Sequence, residues 1–275
     1  MKGYSKFREM AMLGKKLDGE YILDAHTHIG GRSKIYHLPD SSTDEMVAEM
    51  DRHGIDLAIT FPFSGITSDF GFGNDVTADG VNRYPDRFVG FACCNPHYHA
   101  EMKDELERCK GMGLRGIKLI AGYQRYPAEG PGLFPAYEYA HENCWPILNH
   151  NWGTPKFLDK LASTFSNACF IIGHFSLAYA VVVLAHDNVF QCTCAALNFG
   201  DIEALVDAVP PDKIVYGSDF TDLPIMFSMA PILYARISDD DKRKILGLTA
   251  KTVLDRWPGQ QPPDKLCKPS HKAAS

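Results

Sequence analysis

The chain alternates short apolar runs with longer amphipathic segments, and this alternation restricts the fold more than any other feature. Runs of this length suit buried strands, and the segments between them suit helices. Strands separated by helices form parallel βαβ units, so eight such units in succession predict an α/β protein, a closed (β/α)8 TIM barrel. The eight predicted strands cover residues 21–26, 56–61, 88–93, 114–120, 145–149, 169–174, 189–194 and 213–218.

The predicted helices fill the gaps between these strands. The first has Ser42 or Thr43 as an N-cap and Glu45 in its first turn, and it ends before Gly54. An open, doubly wound sheet is the alternative, and it is disfavoured because no Gly-x-Gly-x-x-Gly follows the first strand. The predicted helices cover residues 43–53, 74–84, 100–112, 134–142, 155–165, 177–185, 201–209, 224–236 and 239–256.

Length and composition fit one large domain. The 275 residues are 45% hydrophobic, and a barrel of this type uses about 250 residues. We predict a lead-in over residues 1–18, one barrel over 19–257 and a disordered tail over 258–275, which is rich in Pro, Lys, Gln and Ser.

Charge and cysteine usage exclude several kinds of partner and location. The net charge is −6 without a basic run, so neither nucleic acid nor a membrane surface is an expected partner. The apolar stretches are too short to span a bilayer, and the first eight residues lack the long apolar segment of a signal peptide, so none is expected. Most of the eight cysteines lie in apolar runs, which predicts reduced thiols in a cytoplasmic protein. They are Cys93, Cys94, Cys109, Cys144, Cys169, Cys192, Cys194 and Cys267.

Two histidines close the first predicted strand. His26 and His28 follow the apolar run Tyr21-Ile22-Leu23, in the stretch Asp24-Ala25-His26-Thr27-His28. Residues two apart on a strand point to the same side, so their imidazoles form a pair of candidate metal ligands.

Polar residues also close the fourth, fifth, sixth and eighth predicted strands. They are Lys118, His150, His174 and Asp219, and the carboxyl ends of barrel strands are where active sites lie. Taken singly, each has a structural alternative: a core or capping histidine, a helix-capping aspartate or a surface lysine. Together, imidazoles and a carboxylate suit one divalent ion, Zn²⁺ first and Mn²⁺ as the alternative, with room for a water.

Two further groups of residues are candidates for the site. Cys192 and Cys194 have strand spacing and could bind a soft metal, but their apolar neighbours favour packing. Loops after the strand ends carry side chains that could line a substrate pocket, and an arginine there would favour an anionic substrate. These candidates are Arg32, Phe63, Arg125, Tyr126 and Trp152.

These residues resemble the amidohydrolase superfamily, and within it the amidohydrolase-related branch that includes aminocarboxymuconate-semialdehyde decarboxylase. The resemblance runs from Tyr21 to Trp257. It rests on four motifs in the order expected of the family, which are Asp24-Ala25-His26-Thr27-His28, Gly116-Ile117-Lys118-Leu119, Ile172-Gly173-His174 and Tyr216-Gly217-Ser218-Asp219.

The resemblance implies a role for each site residue. His26, His28, His150 and Asp219 would bind the metal, and His174 would be the catalytic acid or base, with Asp219 sharing in proton transfer. In binuclear relatives a lysine like Lys118 is carboxylated and bridges two metals. Members of the resembled branch are mostly mononuclear, so an unmodified Lys118 that binds substrate is expected.

The resemblance also implies an activity. A metal-dependent hydrolase of a small amide, lactone or ester is the leading hypothesis, and a metal-dependent non-oxidative decarboxylase of a small carboxylic acid is the alternative. A barrel with a purely structural metal is the non-enzymatic alternative. The chain is short for a decarboxylase of this branch, and Leu119-Ile120-Ala121-Gly122 replaces a frequent His-Pro after the lysine. The expected partner is a small molecule, and a homo-oligomer is left open.

Overall fold

The strands of the molecule form a closed parallel barrel. The computed structural model describes residues 5–30, 42–66 and 69–259. Successive strands pair in parallel in two arcs, β1 to β3 and β4 to β9. The strands are β1 Leu23–Ile29, β2 Leu57–Pro62, β3 Phe88–Gly90, β4 Ala92–Cys93, β5 Ile117–Leu119, β6 Pro146–Asn149, β7 Cys169–Ile172, β8 Val189–Cys192 and β9 Ile214–Val215.

Backbone hydrogen bonds join the two arcs at both seams. Strands β3 and β4 together make up the third predicted strand, interrupted at Phe91, whose N–H donates to the Thr60 carbonyl at 2.9 Å. At the other seam the Ala25 N–H donates to the Tyr216 carbonyl at 2.8 Å, and Thr27 pairs in parallel with Phe220. Counting β3 and β4 as one strand, eight strands form a closed ring, and the predicted (β/α)8 barrel is confirmed.

Helices follow the strands around the barrel, close to the predicted ranges. The last predicted helix is divided by a π-helical turn at Lys244–Leu248. Within the part of the chain that the structure describes, no helix is long and apolar enough to cross a membrane. The helices are α1 Lys6–Met12, α2 Thr43–His53, α3 Phe70–Arg83, α4 Met102–Gly111, α5 Phe134–Asn143, α6 Pro155–Thr164, α7 Ala180–Ala185, α8 Asp201–Ala208, α9 Ile225–Tyr234, α10 Asp239–Arg243 and α11 Thr249–Arg256.

Alternation along the strands divides the core into two layers. On β6, for example, Ile147 packs in the layer shared with the helices, whereas Leu148 packs in the interior cluster. The same alternation separates Phe170 from Ile171 on β7. Both faces of each strand are buried, which explains why the strands read as continuous apolar runs in the sequence.

A bulge on β1 changes which way its side chains point. Asp24 pairs with Ala58 and Thr27 pairs with Thr60, so two residues, Ala25 and His26, lie opposite Ile59 alone. An extra residue shifts the alternation by one, and it turns every later side chain to the other face. The bulge therefore directs His26 and His28 into the barrel, where both rings contact Phe61.

Candidate metal centre

Four histidines meet at the carboxyl ends of the strands. The ring centroid of His26 lies 5.5 Å from that of His28 and 5.3 Å from that of His174. The rings of His150 and His174 are 4.2 Å apart. Two of these side chains lie on β1, and the other two lie just after β6 and just after β7. The barrel therefore brings together residues that are distant in sequence.

Asp219 lies between the two histidines of β1. Its Oδ1 is 3.1 Å from the Nε2 atoms of both His26 and His28. The backbone of Asp219 is left-handed, with φ of 63°, and its N–H donates to the His26 carbonyl at 2.9 Å. Aspartate tolerates this conformation better than most residues, so the turn after β9 can direct a carboxylate at the histidines.

The hydrogen bonds of His26 leave one nitrogen available as a ligand. Its Nδ1 lies 3.0 Å from the Gly173 carbonyl oxygen, which can only accept, so we assign the proton to Nδ1. Nε2 then presents its lone pair to the cavity. Burial, followed by the charge of Lys118, lowers the pKa of His26 to about 3, so the ring is neutral at neutral pH.

The donor set fits a divalent ion. The His26 Nε2 lone pair and the Asp219 carboxylate oxygen are both electron-rich, and at 3.1 Å they repel unless a cation lies between them. Two ligands bound to one ion at about 2.1 Å are themselves about 3.0–3.4 Å apart, depending on the coordination geometry. Among the described residues, the buried Nδ1 of His28 has no hydrogen-bond partner. These observations support a metal held by His26 and Asp219 with His28 beside them.

His150 and His174 are neutral bases at the edge of this group. Burial, with a smaller contribution from the charge of Lys118, lowers the pKa of His150 to about 4 and that of His174 to about 2. The ring of Tyr123 lies 5.1 Å from that of His150. The peptide carbonyl of His174 accepts from Gln191 Nε2 at 2.7 Å, which anchors the backbone beside its ring.

Lys118 enters the same cavity from β5. Its side chain is fully buried, with Nζ 3.1 Å from His26 Nε2 and 4.2 Å from the centroid of the Phe61 ring. Burial lowers its pKa to about 8, although the negative charge of Asp219 acts in the opposite direction. Lys118 therefore supplies a positive charge inside the cavity.

Asp24 supports the site from behind, a role that the sequence did not reveal. Its Oδ1 accepts from the backbone N–H of Ser218 at 2.9 Å and from that of His26 at 3.1 Å. Burial raises the pKa of Asp24 to about 7, although these hydrogen bonds act the other way. One carboxyl thus connects the segments that carry His26 and Asp219. The only sequence signal was an acidic residue inside an apolar strand.

The substrate-binding candidates lie in different surroundings. Phe63 is half-buried, with its ring centroid 4.8 Å from that of His28, so it borders the cavity. Arg125 is exposed on the loop after β5. Trp152 is fully buried, donates to the Ile171 carbonyl and packs on Phe170, which makes it a core residue and not a wall of the cavity. Arg32 lies outside the described residues.

Fold and donor cluster together define a (β/α)8 barrel with a candidate metal-binding site at the carboxyl ends of its strands. The family model for amidohydrolases matches residues 3–256, and the chain belongs to this family.

Solved structures share the fold at low sequence identity. 5-Carboxyvanillate decarboxylase from Sphingomonas paucimobilis is 15% identical, with a TM-score of 0.67 over 86% of this chain and 99% of that one. A dihydroxybenzoic acid decarboxylase from Polaromonas sp., with bound manganese and 2-nitroresorcinol, is 16% identical, with a TM-score of 0.67 over 88% and 99%. A probable 2-pyrone-4,6-dicarboxylic acid hydrolase from Acinetobacter baumannii is 16% identical, with a TM-score of 0.62 over 84% and 98%.

Proposed function

We propose that this protein is a metal-dependent, non-oxidative decarboxylase of a small, unsaturated or aromatic carboxylic acid. The observation that carries the proposal is Lys118, a fully buried lysine whose ammonium contacts a neutral imidazole and an aromatic ring. Among the described residues Lys118 forms no salt bridge, although Asp219 is near enough to raise its pKa, and a buried cation in this position favours an anion in the adjoining cavity. In a decarboxylase the carboxylate is the reacting group, so it must reach the metal centre itself.

The surroundings of Lys118 suit an aromatic acid. Phe61 lies beneath the ammonium and also contacts His26 and His28, and Phe63 contacts His28. Flat apolar rings around a positive charge match a planar acid with one charged end. The named substrates of the similar structures agree, since 5-carboxyvanillate, dihydroxybenzoic acid and 2-pyrone-4,6-dicarboxylic acid are all carboxylic acids.

The chain's own residues supply orientation and a proton. Lys118 holds the substrate carboxylate, the phenylalanines exclude water, and His174 delivers a proton to the carbon that loses CO₂. The C–C bond electrons stay on that carbon and form the new C–H bond. The His174 imidazole is neutral in the free protein, and a bound anion beside it favours its protonated form. The metal would act as a Lewis acid on substrate oxygens.

Hydrolysis of a lactone or ester is the second candidate function. The same Lys118 ammonium could stabilise an oxyanion, and the neutral His174 could take a proton from an attacking water. One of the similar structures bears the name of a hydrolase of a cyclic dicarboxylic acid. The leading hypothesis from the sequence therefore survives as the alternative, and the products distinguish the two.

The test uses the full-length protein, freed of metal and reloaded separately with Zn²⁺ and Mn²⁺. Hydroxybenzoates, carboxyvanillate and pyrone carboxylates would be offered in D₂O and in H₂¹⁸O. Decarboxylation releases CO₂ and places one deuterium on the product carbon, whereas hydrolysis places ¹⁸O in a new carboxylate. We expect CO₂ and deuterium.

The matched control is His99→Asn, which removes an exposed histidine, against His174→Asn in the cavity. We expect turnover to survive in the first variant and to be lost in the second. Incorporation of ¹⁸O without CO₂ release would establish the hydrolase, and no turnover of any acid by the metal-loaded protein would reject both.

A further inference from the structure

Cys194 lies within reach of the candidate metal position. It follows β8 at the mouth of the barrel, its side chain is fully buried, and its Sγ is 3.7 Å from His174 Nδ1. One donor atom from each of His26, His174, Cys194 and Asp219 lies within 4.8 Å of the other three. The thiol is therefore part of the donor cluster.

The spacing suits a shared ion. Donors bound to one tetrahedral zinc ion at about 2.0–2.3 Å lie about 3.3–3.8 Å apart. The four donor atoms here lie within 4.8 Å of one another, so side-chain movements of about 1 Å would bring them onto one ion. Three of the four residues are buried and His174 is half-buried, and the group includes a thiol and two imidazoles, which distinguishes it from an exposed acidic cluster.

The neighbouring cysteine has different surroundings, although it is chemically identical. Cys192 lies two residues earlier, and both cysteines are fully buried and border the interior apolar cluster, but the Cys192 Sγ accepts the Cys194 backbone N–H at 3.4 Å. It is not a member of the donor group. The pair therefore provides a test residue and a matched control on the same strand end.

We propose that Cys194 supplies a thiolate ligand to the ion held by His26 and Asp219, and that this sulfur makes the site select Zn²⁺ over Mn²⁺. The proposal rests on the metal site of the proposed function. On binding, the Cys194 S–H proton leaves to solvent and a sulfur–metal bond forms, without any change in oxidation state. Thiolate is a soft ligand that favours zinc, whereas manganese prefers oxygen ligands.

The direct test is the absorption spectrum of the cobalt-loaded protein. Thiolate bound to Co²⁺ gives an intense charge-transfer band in the near ultraviolet, and carboxylate and imidazole do not. We expect the band in the wild type and in Cys192→Ser, and its loss in Cys194→Ser with cobalt still bound. Cys194→Ala serves as a second variant, and circular dichroism checks that each variant is folded.

Metal competition gives a second readout that is independent of activity. Removing residues that merely orient ligands costs metal affinity about 10–100-fold, so loss of a direct sulfur ligand should lower zinc affinity at least that much. Manganese affinity should change far less, so the zinc preference should fall in Cys194→Ser and persist in Cys192→Ser.

The outcomes separate this inference from the function on which it rests. Cobalt binding to the wild type without a charge-transfer band, or an unchanged zinc preference in Cys194→Ser, overturns the thiolate ligand and leaves the metal site intact. No metal binding to the wild type overturns the metal site itself, and the proposed function with it.

Discussion

At the scale of single residues, the site depends on where lone pairs and protons lie. His26 donates a hydrogen bond from Nδ1 to the Gly173 carbonyl oxygen, and its Nε2 faces the Asp219 carboxylate. Burial alone would raise the pKa of Asp219, but the hydrogen bond with His28 Nε2 helps to hold it well below its ordinary value. A neutral ligand nitrogen and an ionised carboxylate are the protonation states that metal binding requires.

Metal content should separate ligands from the proton-transfer residue. We expect His26→Ala to lose metal, and His174→Asn to keep most of it while activity falls roughly 10²–10⁴-fold, the usual contribution of a general acid or base. Asp219→Asn should remain folded, because asparagine also adopts the left-handed backbone, and should lose activity. Elemental analysis beside steady-state assays checks this. Metal retained in His26→Ala and lost from His174→Asn would mean that the two roles are exchanged.

Replacement of Lys118 should weaken substrate binding more than metal binding. Lys118→Met keeps the length of the side chain and removes the charge that lies 3.1 Å from His26 Nε2. A charged hydrogen bond contributes about 1.5–3 kcal/mol, so we expect kcat/KM to fall roughly 10–150-fold, mainly through KM. Bound metal should stay at one equivalent per chain. Two equivalents in the wild type, falling to one in the variant, would instead show a carboxylated, bridging lysine.

At the scale of elements, close packing of β1 against the segment after β9 brings the ligands together. Gly217 lies where these segments meet, and a Cβ there would come 2.7 Å from the Cβ of His26 and 2.5 Å from Cys192 Sγ. Only glycine lets the two backbones approach so closely. The Asp24 carboxyl then bridges them through the N–H groups of His26 and Ser218.

Gly217→Ala should therefore disturb both the fold and the site. We expect a loss of roughly 1–3 kcal/mol in the free energy of unfolding, as for overpacking elsewhere, together with weaker metal binding because Asp219 is displaced. Gly111→Ala is the control, since its Cβ would have no atom within 4 Å and it lies on α4 away from the site. Denaturant unfolding and metal titration measure the two effects. Equal behaviour of the two variants would contradict this account.

At the scale of the whole molecule, the buried histidines make the metal-free protein sensitive to acid. Burial holds the pKa values of His26, His150 and His174 at about 3, 4 and 2. In the unfolded chain these groups bind protons below pH of about 6.5. Between pH 7.5 and 5 the unfolded state therefore gains protons that the folded state does not, and the folded state loses stability. Asp24 and Asp222, with pKa values raised to about 7 and about 6, act in the opposite direction but are fewer than these histidines.

The free energy of unfolding of chelator-treated protein should thus fall as the pH is lowered from 7.5 to 5. Each such histidine contributes up to about 1.4 kcal/mol per pH unit below its unfolded pKa. Guanidinium titrations at three pH values measure the slope, and His150→Gln should make it shallower. Added zinc should stabilise the protein at pH 7.5 more than at pH 5, because protons compete for the ligands. A pH-independent midpoint would contradict the prediction.

Much of this protein could be inferred from its sequence alone. Both faces of the strands are buried, so continuous apolar runs in the sequence indicate the strands of the barrel. Helices between successive strands indicate that the strands pair in parallel. Polar residues at the carboxyl ends of such runs are expected at the same end of the barrel, because all its strands are parallel. That reasoning placed His26, His28, Lys118, His150, His174 and Asp219 at one rim from local patterns, and their roles as ligands and catalysts stay predictions.

Only the tertiary structure decided the rest, because it depends on pairing between distant segments. Strict alternation from Leu23 would have turned His26 away from the interior, and the bulge that reverses this is defined by register with β2. Asp24 supports the site because it accepts a hydrogen bond from the Ser218 N–H, and Trp152 is a core residue because its ring packs on Phe170. Cys194 belongs to the donor group and Cys192 does not, because different groups surround the two sulfur atoms. Local sequence specifies the strands, whereas contacts between strands determine which side chains reach the metal centre.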